Sequence, residues 1–153
     1  MNISIKKTVR SDGPYIVDFQ LKMAWETESI HLDKAVVEAG VSAVFDDPSK
    51  GFYLLVRSGE EAIASMLLTP EWSDWRNGMI WWIQSVYVPV EFRRKGVFRA
   101  LYRHVESLVK DDQNACGLRL YVEKNNARAI QTYRDLQMSE PGYLVMESLT
   151  NNG

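Results

Sequence analysis

The chain is poor in metal- and redox-active side chains, with one cysteine, Cys116, and two histidines, His31 and His104, in 153 residues. A single thiol excludes an internal disulfide framework and fits a reducing cytoplasm. Neither histidine has a partner at ligand spacing, and the chain lacks a cluster of Cys, His and carboxylates, so no metal is expected. Cys116 has no histidine nearby in sequence to activate it as a nucleophile. No apolar run reaches the roughly 20 residues that cross a bilayer, and Met1–Lys7 lacks the apolar stretch of a signal peptide. Glycine and proline are few, nine and five, and repeats, linkers and low-complexity tracts are missing. The expectation is one soluble cytoplasmic domain over residues 1–153, with no membrane partner.

An ordinary core is present: 46% of residues are hydrophobic and 25% charged, with a net charge of −2. The charge is uneven. Between Glu91 and Asp135 there are ten Lys/Arg against six Asp/Glu, leaving eight against fourteen of the chain's 18 and 20 elsewhere. Such a split suits two ligands of opposite sign, an anionic cofactor and a cationic amine, although two solvated faces would read the same way. The slightly acidic total and the lack of a second basic stripe argue against a nucleic-acid partner.

Periodicity predicts a strand over Ile3–Val9 and a helix over Tyr15–Thr27 with Ile16, Phe19 and Met23 inward. A second helix is expected over Leu32–Ala39, ending at Gly40, and a loop from Asp46 to Gly51. Gly51–Val56 and Glu61–Leu68 read as a hairpin, Glu71–Gly78 as a long aromatic connection, and Met79–Val88 as a central strand. Gly96–Lys110 is a strongly amphipathic helix, followed by strand Leu118–Val122, helix Ala127–Leu136 and strand Tyr143–Leu149. The order β-α-α-β-β-β-α-β-α-β defines a mixed α/β fold.

The turn from Val88 into the amphipathic helix carries Arg93-Arg94-Lys95-Gly96-Val97-Phe98-Arg99. Free N–H groups at a helix start, beside a glycine and several cations, suit a pyrophosphate. The run resembles the Arg/Gln-x-x-Gly-x-Gly/Ala signature of the GCN5-related N-acetyltransferases (GNAT), with Phe98 at the position of the usual small residue. A second stretch, Asn126-Ala127-Arg128-Ala129-Ile130-Gln131-Thr132-Tyr133, is similar to the same family's Asn-x-x-Ala-x-x-x-Tyr pattern, although Gln137 replaces the glycine that follows it. The resemblance covers the element order of essentially the whole chain.

It implies the GNAT acyl-CoA N-acyltransferase fold and acetyl-CoA as cofactor. By that resemblance Val86 and Val88 offer main-chain bonds to the cofactor arm. Arg93 to Arg99 (Arg93, Arg94, Lys95, Gly96, Val97, Phe98, Arg99) take its pyrophosphate, Asn126 lies beside the arm as well as capping a helix, and Tyr133 protonates the leaving thiolate. Gln84 stands where many relatives place a basic glutamate, which leaves proton removal to Glu26, Glu28, Glu71 or Asp74 through water. Glu26, Glu28, Trp72, Trp75 and Gln84 are expected near a small polyamine- or amino-acid-like amine, since acids and aromatics attract ammonium groups; the same tryptophans would equally pack a core. Trp81 and Trp82 must point to opposite faces of their strand. A homodimer is the family default. The competing expectation is a non-catalytic acyl-CoA-binding regulator.

Overall fold

The computed structural model describes residues 1–151. The chain forms two compact units, Met1–Tyr121 and the residues from Val122 onward. In the first, β1 (Ser4–Lys7), β2 (Phe52–Ser58), β3 (Glu61–Ser73), β4 (Gly78–Tyr87) and β5 (Ala115–Leu120) make one sheet in the order β1-β2-β3-β4-β5. The first three pairings are antiparallel and β4–β5 is parallel. This is the mixed α/β class expected.

Helices α1 (Gly13–Glu28) and α2 (Lys34–Asp46) cover one face. Ile16, Val17 and Phe19 of α1 and Val41 of α2 pack there with Tyr53, Leu55 and Tyr87 from the strands. Helix α3 (Val97–Asp111) covers the other face and buries Val97, Leu101, Tyr102 and Val105. Their spacing of three and four residues is what makes one side of that helix a core surface.

Four expectations need correction. Helix α2 does not stop at Gly40 but runs to Asp46. An interior glycine costs about 1 kcal/mol, and burial of Val41 with Val44 and Phe45 against the core outweighs it. Glu71, Trp72 and Ser73 belong to β3 rather than to a connection. Pro70 does not end the strand, because β2 stops pairing at Leu68 and β3 beyond it is an edge on that side, where proline is tolerated. Strand β5 starts three residues earlier than expected, at Ala115, drawn in by Met79 N–H donating to the Asn114 carbonyl at 2.7 Å.

The expected last strand, Tyr143–Leu149, is not formed. A strand exists only through a paired neighbour, and this segment has none among the described residues; Tyr143, Leu144, Val145 and Met146 are all exposed. In this second unit α4 (Ala127–Asp135) is present. The Asn126 side chain caps it by accepting from the Ala129 N–H at 3.1 Å.

Strand β4 carries a bulge that sets up the site. Leu67 pairs with Gln84 and Ser65 with Tyr87, so Ser85 and Val86 together oppose Met66. Ser85 adopts φ 49°, a left-handed conformation. The extra residue resets the alternation, turning both Gln84 and Tyr87 toward the α1/α2 face. A β-branched residue resists that conformation, so Ser85→Val should cost about 1–2 kcal/mol in denaturant unfolding. Ser85→Gly should cost nothing or stabilise.

Candidate active site

Strand β4 outruns its parallel neighbour. The ladder with β5 runs from Met79–Ala115 to Ile83–Leu120 and stops, while β4 continues to Tyr87. From Gln84 onward the backbone groups on the β5 side lack a strand partner, the condition under which an extended ligand can bond like another strand. Val86 and Val88, both half-buried, lie in this stretch.

Beyond β4 the chain passes Pro89 and a short 3-10 turn, Val90–Phe92, into the basic bend. Arg94 (φ 62°) and Gly96 (φ 79°) are left-handed, and Gly96 is the N-cap of α3. Alternating handedness of this kind points successive N–H groups inward as a nest for anions. The first N–H of α3 to find an intrahelical partner is that of Ala100, which bonds the Gly96 carbonyl. The amides of Val97 and Arg99 precede that first intrahelical bond and face the start of the helix. A side chain at Gly96 would meet nothing within 4 Å, so the space in front of the bend is open. Val97 is buried, and the Phe98 ring lies 6.3 Å from that of Tyr102.

Arg94, Lys95 and Arg99 are exposed at this bend. Arg93 is not one of the free cations. Its Nε donates to the Val88 carbonyl at 2.7 Å and its Nη2 to Glu26 Oε2. Arg93 fastens the bend to the end of α1, whereas Arg94, Lys95 and Arg99 leave their charges in solvent.

Glu26 is doubly held, since Tyr87 Oη donates to its Oε1 at 2.8 Å. Partial burial pushes the Glu26 carboxyl up, but the bonds from Arg93 and Tyr87 prevail and hold it below its ordinary 4.5. Burial, and next the bond to Glu26, push the Tyr87 phenol up to about 12. A carboxyl lowered by folding stabilises above its unfolded value and loses that contribution as the pH falls. The Tm deficit of Glu26→Gln should therefore be full at pH 7 and shrink below pH 4.5.

A second polar group lies along the same sheet face. Gln84 Nε2 donates to Thr69 Oγ1. Trp82 Nε1 donates to Glu71 Oε1 at 2.7 Å, and Arg119 Nη1 donates to Glu71 Oε2 at 3.0 Å. The Trp82 ring lies 4.6 Å from that of Tyr121. Trp81 turns to the opposite face, against Phe52 at 5.4 Å, where it lines a groove of about 400 Å³ beside α3. The two tryptophans do point apart, as strand alternation requires.

Of the residues expected near an amine, Gln84 and Glu26 share this face. Trp72 alternates to the other side of β3 from Glu71, and Trp75 sits in the turn after β3, 90% exposed; neither joins the group. Glu28 ends α1 in solvent. Asn126 and Tyr133 belong to the second unit, and burial raises the Tyr133 phenol above its ordinary 10.0. Sequence reasoning missed Arg119, although a lone arginine between Leu118 and Leu120 of a strand was a signal. Among the described residues no three His, Cys, Asp or Glu side chains gather as metal ligands, and no helix is long and apolar enough to cross a membrane.

A mixed sheet whose central strand parts from its neighbour and feeds an anion-binding helix start is the framework of an acyl-CoA N-acyltransferase. Residues 15–137 match the acetyltransferase (GNAT) family, and the chain belongs to that family and is an N-acetyltransferase. It is similar to a possible acetyltransferase from Clostridium difficile 630, with 41% identity, a TM-score of 0.91 and coverage of 98% of this chain and 99% of that one. The fold is shared with a ribosomal-protein-alanine N-acetyltransferase from Brucella melitensis biovar Abortus 2308 (11% identity, TM-score 0.79, coverage 97% and 100%). It is shared too with an aminoglycoside N-acetyltransferase solved in complex with CoA (10% identity, TM-score 0.79, coverage 97% and 95%). No curated protein sequence matches the chain at a significant level.

Proposed function

We propose that the enzyme moves the acetyl group of acetyl-CoA to the primary amine of a small molecule by direct attack. The observation that carries this reading is the end of the β4–β5 ladder at Ile83, immediately before a nest flanked by Arg94, Lys95 and Arg99. The residues present fit the cofactor. Open space fronts Gly96, the N-terminus of α3 points its N–H groups toward that space, and the exposed cations match a pyrophosphate. When bound, acetyl-CoA supplies an activated acyl carbon with a thiolate as leaving group.

Around it, the N-terminal amides of α3 at Val97 and Arg99 and the three cations hold the pyrophosphate. The N–H groups of Val86 and Val88 hold the arm and polarise the acyl oxygen, a preorganised donor arrangement. The Val88 carbonyl is already committed to Arg93. Gln84 and Thr69 hold a water that takes the acceptor's proton toward solvent, because Glu26 and Glu71 each have both oxygens engaged. Tyr133 Oη gives its proton to the departing sulfur and regains one from solvent. Asn126 places Tyr133 by capping α4. We treat the two units as one catalytic domain, since the family match runs through their boundary, and we place the enzyme in the cytoplasm, where the exposed Cys116 thiol stays reduced.

The test is release of free CoA thiol from acetyl-CoA across an amine panel, with calorimetry of CoA binding alongside. Micromolar binding with amine-dependent release supports the reading. Binding without release from any amine turns the assignment toward an acyl-CoA-binding regulator, and absence of binding overturns it.

A further inference from the structure

Glu26 and Glu71, the carboxylates nearest Gln84 in the site described above, are already matched by guanidinium groups. Glu26 is paired with Arg93 and Glu71 with Arg119. A polyamine brings several positive charges and would find no unbalanced negative charge at these positions. The excess lies the other way. An arginine side chain carries five N–H donors, and Arg119 commits only Nη1, to Glu71. Its Nε and Nη2, which form one edge of the planar fork, have no acceptor among the described residues, and they are not sealed from solvent. The side chain is nevertheless only 29% exposed.

Position strengthens the point. Arg119 is the register partner of Trp82, and Trp82 is two residues from Gln84 on the same face, a rise of about 7 Å along the strand. The fork therefore lies one repeat from the place where β4 loses its neighbour. The opposite face at this level is occupied by Trp81, with α3 packed beyond it. A free, half-withdrawn guanidinium edge beside the acyl site matches a planar carboxylate, which accepts two parallel bonds from such a fork.

We infer that Arg119 holds a carboxylate of the acceptor, so that the amine acetylated is an amino acid or a short peptide rather than a polyamine. Glu71 and Trp82 act as positioning residues that keep the fork oriented, and the Trp82–Tyr121 pair walls the site beside it. This inference rests on the reading of the enzyme as a small-amine acetyltransferase.

The experiment compares kcat/KM, by CoA thiol release, for matched triplets: an amino acid, its carboxamide and its decarboxylated amine, with spermidine included. The carboxamide removes the negative charge and also lowers the amine's basicity, so each kcat/KM is expressed per neutral amine before acid and carboxamide are compared. The wild type should favour the amino acid over the carboxamide by about ten- to hundredfold, the range of a charge-assisted hydrogen bond. Arg119→Gln should bring that ratio to about one, and Glu71→Gln, which frees the fork from its ion pair but keeps the guanidinium, should lower it only in part. A ratio is indifferent to the fraction of enzyme folded, so a merely structural loss would lower all three rates together. Equal rates for acid and carboxamide in the wild type, spermidine as the best acceptor, or an unchanged ratio in Arg119→Gln would each overturn the inference while leaving the small-amine reading intact. No release with any acceptor would sink both.

Discussion

Replacing Tyr133 by phenylalanine is expected to lower kcat about a hundredfold or more while leaving the affinity for acetyl-CoA unchanged. Loss of a positioned general acid typically removes a factor of 10² to 10⁴, and in the proposed mechanism the phenol would be called upon only as the thiolate leaves. An interaction needed only then lowers kcat and kcat/KM together without weakening ground-state binding. The substitution keeps the ring and deletes one oxygen, so packing around α4 is conserved. The pH dependence gives an independent reading. Burial raises the Tyr133 phenol above 10.0, so the acid is fully protonated at neutral pH. In the wild type kcat should fall only on the alkaline side of that value, and the limb should disappear in Tyr133→Phe. Isothermal titration with CoA separates the outcomes: an unchanged kcat removes Tyr133 as the acid, and a weakened Kd recasts it as a binding residue.

Much of this architecture was legible in the chain. The apolar run from Met79 and the one-sided helix after Gly96 read as a central strand and a core-facing helix, and both are formed, with the basic bend between them. The fate of individual cations could not be read there. Arg93 looks like its neighbours in sequence, and only the return of α1 to the end of β4 shows that Glu26 captures it. The bulge at Ser85 is equally silent, because serine is a poor marker of left-handed backbone. Without that bulge, simple alternation puts Tyr87 on the wrong face and hides its bond to Glu26. Arg119 and Glu71 are 48 residues apart and meet through β3–β4–β5 register, which no local pattern encodes. The Tyr143–Leu149 stretch shows the converse error: high strand propensity was present, but strand formation depends on a partner edge.

Removing Arg94 and Arg99 together should weaken CoA binding about a hundredfold at low salt, the largest change expected from any substitution that leaves the core untouched. Both side chains are exposed and neither has a partner among the described residues, so deleting them orphans no described carboxylate and stability should stay within about 0.5 kcal/mol. Each bond from a guanidinium to a phosphate oxygen is worth about 1.5–3 kcal/mol when shielded. Exposure reduces that figure, and a hundredfold loss corresponds to about 2.7 kcal/mol for the pair. Because the contribution is coulombic, raising the ionic strength should erode the wild type's affinity more steeply than that of the double variant. Arg93→Ala should behave differently: it strips Glu26 of its ion pair and loosens the bend from α1, so its main signature is a lower Tm. A truncated donor, acetyl-pantetheine, decides the matter, since it keeps the thioester and lacks the pyrophosphate. If Arg94 and Arg99 hold that group, the double substitution leaves KM for acetyl-pantetheine as it was. An equal rise in KM for both donors would mean that the bend shapes the acyl site rather than gripping the phosphates.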